Sequence, residues 1–94
     1  MTALNTLPAH QIARMIRAGD TSPSKVMAAH LDHIGTRETA VGAFQYLDAA
    51  RAMERAKKAD SLPASGPLFG VPFAIKDIID TDDMPTSWGS SIYA

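Results

Sequence analysis

Cysteine is absent from the 94-residue sequence, and neither sign of charge is in clear excess, since the formal net charge is -1. Without cysteine the chain has no disulfide framework and no thiolate zinc site. A near-zero net charge gives no electrostatic reason to expect nucleic acid as a partner. Long apolar runs are also missing, so neither a secretory signal at Met1–His10 nor a membrane span is predicted. We therefore expect a cytoplasmic protein that binds neither nucleic acid nor membranes.

The composition is that of a globular protein, with 46% apolar and 20% charged residues. Disordered chains have fewer apolar residues and a larger net charge. The length suits one small domain at most, and a chain of this size buries a modest share of its surface. The sequence predicts one domain with a thin core.

A first helix is predicted from about Leu7 to Ala18 because apolar residues recur there at helical spacing. Thr6 is suited to cap its exposed N–H groups, and Gly19 is suited to the position after its last turn.

A second helix is predicted to begin at Pro23, because Ser22 and Pro23 form a hydroxyl cap followed by proline at the first helical position. Its apolar positions continue to Ile34, and Gly35 is predicted to end it.

Two strands and a third helix are predicted in the rest of the chain. The short aromatic segment Ala43–Leu47 predicts a strand, and Asp48 is suited to cap a helix from Ala49 to about Ser61. Val71–Ile79 is almost continuously apolar, which predicts a buried strand. The resulting fold class is α/β, with too few strands to form a stable sheet without neighbours.

Lys76 interrupts the apolar run and is the candidate catalytic residue. An ammonium group in a buried strand loses hydration, which favours its neutral form, and a neutral lysine can act as a base toward a hydroxyl. On spacing alone, an ordinary strand-end lysine that pairs with Asp77 or another carboxylate is the favoured alternative. Adjacent strand residues point to opposite faces, so for Asp77 we expect hydrogen bonds that brace the neighbouring loop instead of a pair with Lys76.

Residues 66–80, GPLFGVPFAIKDIID, resemble the lysine-bearing stretch of the amidase signature family. Pro85-Thr86 and Gly89-Ser90 follow at the spacing usual in that family, and the helix start at Ser22-Pro23 is similar as well. The resemblance covers nearly the whole chain, so it is far more specific than a lone short motif. Asp82–Met84 departs from the family pattern, because the loop after the lysine is more acidic than usual.

The resemblance implies a fold made of the amino-terminal helices and first strands of an α/β/α sandwich with a mixed central sheet, incomplete in this chain. Residues 1–62 would form peripheral helices, and residues 63–94 would form the lysine-bearing strand and loop of the same domain. Lys76 would be the base of a Ser–cis-Ser–Lys triad that cleaves a small amide without metal or cofactor.

Both serines of that triad normally follow well downstream of the lysine. Ser87, Ser90 and Ser91 come too early to be assigned as the nucleophile. The remainder of the amidase domain is therefore the expected partner, and the chain alone is expected to be inactive. A homodimer through the amino-terminal helices is a further expectation from the resemblance.

Three alternatives to an amidase stay open. One is an amidotransferase subunit that hydrolyses glutamine and passes ammonia to a partner. Another is a non-catalytic module whose helices bind a partner through their apolar stripes. The last is a truncated product or pseudoenzyme that keeps the scaffold without the activity.

Overall fold

Three α-helices follow a single 3₁₀ turn in residues 3–87 and Gly89, which are the residues that the computed structural model describes. The 3₁₀ turn is Leu4–Thr6, and the helices are α1 (Ala9–Ala18), α2 (Pro23–Val41) and α3 (Ala49–Asp60). Among these residues, no helix combines the length and the apolar character needed to cross a membrane.

The starts of α2 and α3 confirm the capping predictions. At α2, the backbone N–H of Lys25 donates to Ser22 Oγ at 3.4 Å, and Pro23 takes the first helical position. At α3, the N–H of Arg51 donates to Asp48 Oδ1 at 3.0 Å. In both cases a short polar side chain satisfies an N–H group that has no partner within the helix.

The first helix begins two residues later than predicted. Pro8 occupies the cap position, and its carbonyl accepts from the N–H of Ile12 at 3.1 Å. Thr6 does not cap the helix, because its hydroxyl donates back to the carbonyl of Ala3 at 2.7 Å within the 3₁₀ turn. The predicted end is confirmed, since Gly19 follows the helix with a left-handed φ of 80°.

The predicted end of α2 at Gly35 is wrong, since the helix continues to Val41. A glycine within a helix costs only about 0.5–1 kcal/mol relative to alanine, which the surrounding turns can offset. The helix ends instead at Gly42, whose φ of 63° is left-handed. Glu38 supports this end, because its carboxylate accepts from the backbone N–H groups of Ala43 at 2.9 Å and Phe44 at 2.5 Å.

The predicted α/β fold class is also wrong for the described residues, which contain three α-helices and no strand or sheet. Neither Ala43–Leu47 nor Val71–Ile79 forms a strand; the first has no regular structure, and the second contains a short turn. Strands are stabilised by ladders of hydrogen bonds to neighbouring strands. The described part of the chain pairs neither segment in this way, so high strand propensity alone does not produce a sheet.

The helices enclose a small core centred on α2, which packs chiefly against α3 and the 3₁₀ turn. Val26 on α2 is completely buried, and Ile12, Ala13, Pro23 and Ala56 are buried as well. A carboxylate joins the far end of α3 to the start of α2, since the N–H of Ser24 donates to Asp60 Oδ1 at 2.9 Å. The thin core predicted from chain length is therefore confirmed.

Candidate active site

Lys76 lies in the irregular segment that follows α3 and helps to line a cavity of about 70 Å³. The cavity is also lined by residues 44–46 and by Ile75, Asp77, Ile79, Thr81, Met84 and Pro85. The carbonyl of Lys76 accepts from the N–H of Ile79 at 3.1 Å, so the chain turns immediately after the lysine. The Lys76 side chain is exposed, which differs from the burial predicted for a strand interior.

Asp77 organises the loop that follows the lysine. Its Oδ1 accepts from the backbone N–H of Ser87 at 2.8 Å, while its Oδ2 accepts from Ser87 Oγ at 2.5 Å and from the N–H of Gly89 at 3.3 Å. We call this set of three hydrogen bonds the Asp77–Ser87 network. It confirms the prediction that Asp77 braces the adjacent loop.

The Asp77–Ser87 network favours the ionised carboxylate. The hydrogen bond from the Ser87 hydroxyl is the main cause that holds the pKa of Asp77 below its ordinary value of 3.8, and the N–H groups of Ser87 and Gly89 add to it. Partial burial acts in the opposite direction but is outweighed. Asp77 is therefore a charged acceptor at neutral pH.

Ser87 is almost fully buried, with 5% of its surface exposed. Its hydroxyl donates to Asp77, so the structure uses Ser87 to position a carboxylate. Sequence reasoning set Ser87 aside as a nucleophile but did not identify it as the partner of Asp77. A pairing across ten residues of irregular chain leaves no periodic signal in the sequence.

Further hydrogen bonds close the loop between Asp77 and Gly89. Thr86 Oγ1 donates to the carbonyl of Ile79 at 3.1 Å. Nearer the tip of the loop, Thr81 Oγ1 donates to the carbonyl of Met84 at 3.1 Å and accepts from the N–H of Met84 at 3.2 Å. The chain just after Lys76 is thus held by several short-range contacts.

The acidic residues that depart from the family pattern include one that anchors the loop to α3. Asp83 Oδ2 lies 2.5 Å from Arg55 Nη2 and 3.8 Å from Arg51 Nη2. Arg51 and Arg55 are one helical turn apart, so both reach the same carboxylate. Asp83 therefore joins the loop to the helical part of the molecule.

Within residues 3–87 and Gly89, no ion pair and no hydrogen bond of the Lys76 ammonium is present, so the predicted alternative pair with Asp77 does not form. The same residues contain no group of three or more His, Asp or Glu side chains arranged to hold a metal ion. Ser90 and Ser91 lie outside the described residues. The described site thus offers an exposed primary amine beside an ordered loop.

The family model described as Amidase matches residues 25–94, which include Lys76 and the Asp77–Ser87 network. The match covers well over half of the chain, so the protein belongs to the amidase family, as the stretch at residues 66–80 predicted.

Individual relatives agree with this family. The chain is 39% identical over 98 residues to the A-type subunit of glutamyl-tRNA(Gln) amidotransferase from Salinispora arenicola, an alignment that covers 100% of this chain and 20% of the relative. It is 43% identical over 96 residues to the protein of the same name from Acidothermus cellulolyticus, covering 98% of this chain and 19% of the relative. The chain thus spans about a fifth of the length of the curated relatives it matches. No solved structure matches the chain.

Proposed function

We propose that this chain is the amino-terminal part of an amidase-signature domain and supplies the catalytic lysine, Lys76, of an amide-cleaving enzyme. The observation that supports this most directly is the family match over residues 25–94, which contains the lysine-bearing stretch at residues 66–80. The substrate is a small carboxylic amide, and the main partner of the chain is the remainder of the same domain. The enzyme is cytoplasmic.

In the proposed reaction, Lys76 acts as the base of a triad whose two serines come from the remainder of the domain. The neutral amine accepts a proton from the bridging serine, which takes one from the attacking serine. The attacking oxygen then bonds to the amide carbon, and backbone N–H groups stabilise the oxyanion. When the C–N bond breaks, the departing amine receives that proton, and water later hydrolyses the acyl-enzyme to the free acid.

The surroundings of Lys76 support the role of a base. Ile75, Ile78 and Ile79 flank the lysine and are exposed in this chain. Coverage of these side chains by the remainder of the domain would remove water from the lysine as well. Loss of water disfavours the charged amine, so completion of the domain would favour the neutral form that the reaction requires.

A second candidate function is that of an amidotransferase subunit, which releases ammonia from glutamine for use by a partner subunit. The names of the relatives favour it, since the matches from Salinispora arenicola, Acidothermus cellulolyticus and Nocardia farcinica are all A-type subunits of glutamyl-tRNA(Gln) amidotransferase. The two functions share the chemistry at Lys76. They differ in the amide cleaved and in the need for partner subunits.

The test is to express the whole reading frame that carries these residues and to compare Lys76→Ala and Lys76→Arg with the wild type. Hydrolysis is measured on simple amides and on glutamine, and hydroxylamine is added to trap the acyl-enzyme as a hydroxamate. We expect Lys76→Ala to lower turnover and hydroxamate formation roughly 10³-fold or more, as for other catalytic triads. Lys57→Ala, which removes an exposed lysine of α3, is the matched control and should retain activity.

Near-normal turnover by Lys76→Ala would contradict the assigned role. Turnover of simple amides without added subunits supports the amidase. Glutamine hydrolysis that depends on partner subunits supports the amidotransferase subunit.

A further inference from the structure

We propose that Asp77 is a positioning residue, which fixes the backbone that carries Lys76 by holding the loop at Ser87 and Gly89. This inference rests on the proposed function, because it assumes that Lys76 is the base. The inference is based on the position of the Asp77 carboxylate, which follows Lys76 directly in the sequence. This carboxylate accepts three hydrogen bonds from Ser87 and Gly89, which lie ten and twelve residues later.

The network and its neighbours hold the chain after Lys76 at two points. At Asp77, the carboxylate joins the chain to the loop through Ser87 and Gly89. At Ile79, the N–H donates to the carbonyl of Lys76 and the carbonyl accepts from Thr86 Oγ1, both at 3.1 Å. The turn after the lysine is thus tied to the same stretch of loop twice, so these hydrogen bonds resist a movement of the Lys76 backbone relative to the loop.

A carboxylate is required because all three partners are donors. Both oxygens of Asp77 accept, one from a single N–H and the other from a hydroxyl and an N–H. An asparagine has one oxygen and one NH₂ group, so one side of the side chain would present a donor to a donor. The lowered pKa of Asp77 agrees with this arrangement, since the network stabilises the charged form.

A small displacement of the base has a large effect on rate. A shift of about 1 Å in a catalytic group can cost about 10²-fold in turnover. Asp77 itself has no need to touch the substrate, so its loss should lower kcat and leave KM nearly unchanged. A residue that only supported folding would lower the amount of active enzyme and leave the kcat of folded molecules unchanged.

The experiment compares Asp77→Asn with Asp60→Asn in the protein expressed from the whole reading frame. Asp60 is the matched control because its carboxylate also accepts a backbone N–H, from Ser24 at 2.9 Å, but joins α3 to α2 instead of holding the lysine loop. Steady-state constants are normalised to the folded fraction of each variant. We expect Asp77→Asn to lower kcat about 10- to 100-fold with KM nearly unchanged, and Asp60→Asn to retain kcat.

Ser87 provides a milder pair of variants if Asp77→Asn does not fold. Ser87→Ala removes one of the three hydrogen bonds and keeps both N–H donors, while Ser87→Thr keeps a hydroxyl. We expect a loss of kcat in Ser87→Ala that Ser87→Thr restores at least in part. Such rescue supports positioning through the hydroxyl, and equal kcat values in wild type and Ser87→Ala overturn the proposal.

Lys76→Ala, measured in the same assays, distinguishes failure of the positioning role of Asp77 from failure of the proposed function. If Lys76→Ala abolishes turnover while Asp77→Asn keeps the wild-type kcat, the positioning role is overturned and the proposed function stands. If Lys76→Ala retains turnover, the proposed function itself fails.

Discussion

Gly70 lies where the chain passes close to the end of α1 and the start of α2. A Cβ atom at this position would lie 2.7 Å from Ile16 Cδ1 and 2.9 Å from Pro23 Cγ, and the φ angle of 82° is left-handed. The proline ring is rigid and buried, so it has little room to move away. Residues of two helices, α1 and α2, therefore pack against Gly70.

The first prediction compares Gly70→Ala with Gly66→Ala. Gly66 has a similar φ of 78°, but nothing lies within 4 Å of its missing Cβ, so it reports the backbone strain alone. We expect Gly66→Ala to cost about 1 kcal/mol of unfolding free energy, and Gly70→Ala to cost about 1–3 kcal/mol more because of the steric overlap. Urea unfolding of the full-length protein, followed by circular dichroism, measures both. Equal losses in the two variants would show that the close approach has no energetic effect.

The second prediction concerns the pH dependence of the Asp77–Ser87 network. The folded-state pKa of Asp77 is lowered from 3.8, so its contribution to stability is complete above that value and is lost as the pH falls through the lowered pKa. The stability difference between wild type and Asp77→Asn should therefore be constant near neutral pH and shrink in acid below 3.8. Urea titrations over this range measure it. A difference that is independent of pH would mean that the charge of Asp77 has no part in the network.

At the scale of secondary-structure elements, α2 has one glycine inside it, Gly35, and one directly after its last residue, Gly42. The helix continues through Gly35, whereas Gly42 ends it with a left-handed φ of 63°. The helix end is stabilised by the carboxylate of Glu38, which accepts the N–H groups of Ala43 and Phe44. Glycine alone is therefore a weak signal for the end of a helix. It is a stronger signal when a nearby side chain can accept hydrogen bonds from the two N–H groups that follow it.

The third prediction is that alanine has opposite effects at these two glycines. Gly35→Ala should stabilise α2 by about 0.5–1 kcal/mol, because alanine is the better helix former and nothing lies within 4 Å of the new Cβ. Gly42→Ala should destabilise it by about 1 kcal/mol, because its φ of 63° is left-handed. Helix content and the urea midpoint measure both changes. A change of the same sign in both variants would contradict the assigned helix end.

The apolar segments Ala43–Leu47 and Val71–Ile79 are the elements for which local reasoning failed. Their residue types favour strands, but a strand is stable only when its backbone forms hydrogen bonds with a neighbouring strand. The two segments lie near each other without forming a ladder, since both line the same small cavity through Phe44, Tyr46, Ile75 and Ile79. The predicted burial of Val71–Ile79 is wrong as well as its predicted strand, since Phe73, Ile75, Ile78 and Ile79 are exposed.

On the scale of the whole molecule, apolar surface is distributed unevenly. Among the described residues few apolar side chains are buried, whereas large apolar residues are exposed in and near the segments beside the cavity. Phe73 is 84% exposed, and the others in this group are Phe44, Tyr46, Leu47, Leu68, Ile75, Ile78 and Ile79. Exposed apolar side chains of this size and number are typical of an interaction site or of a tendency to associate.

The fourth prediction is that the isolated 94-residue chain binds a hydrophobic dye and self-associates. Phe73→Glu should lower both, because it places a charge within the exposed apolar group, while the helix content stays unchanged. Leu62→Glu is the control, since Leu62 is also exposed but lies at the end of α3. Dye fluorescence and light scattering measure the effects. A monomer that melts in one sharp transition without dye binding would favour the alternative of an autonomous helical module.

The sequence by itself determined those features that depend on neighbouring residues. The caps at Ser22 and Asp48 and the left-handed residue Gly19 each need only a few adjacent positions, and all three are as predicted. Family membership also follows from a contiguous stretch, residues 66–80. Asp77 braces the loop as predicted, but the reason given for it, side-chain alternation along a strand, does not apply because Val71–Ile79 forms no strand.

Only the tertiary structure decided the features that join distant parts of the chain. Ser87 as the partner of Asp77, Asp83 as the anchor to α3, and the contact of Gly70 with α1 and α2 are all of this kind. The irregular structure of Ala43–Leu47 and Val71–Ile79 was also decided by the tertiary structure, because a segment forms a strand only when a second segment lies beside it and pairs with it. Local propensity acts over a few residues, while packing and pairing depend on which distant groups the fold brings together.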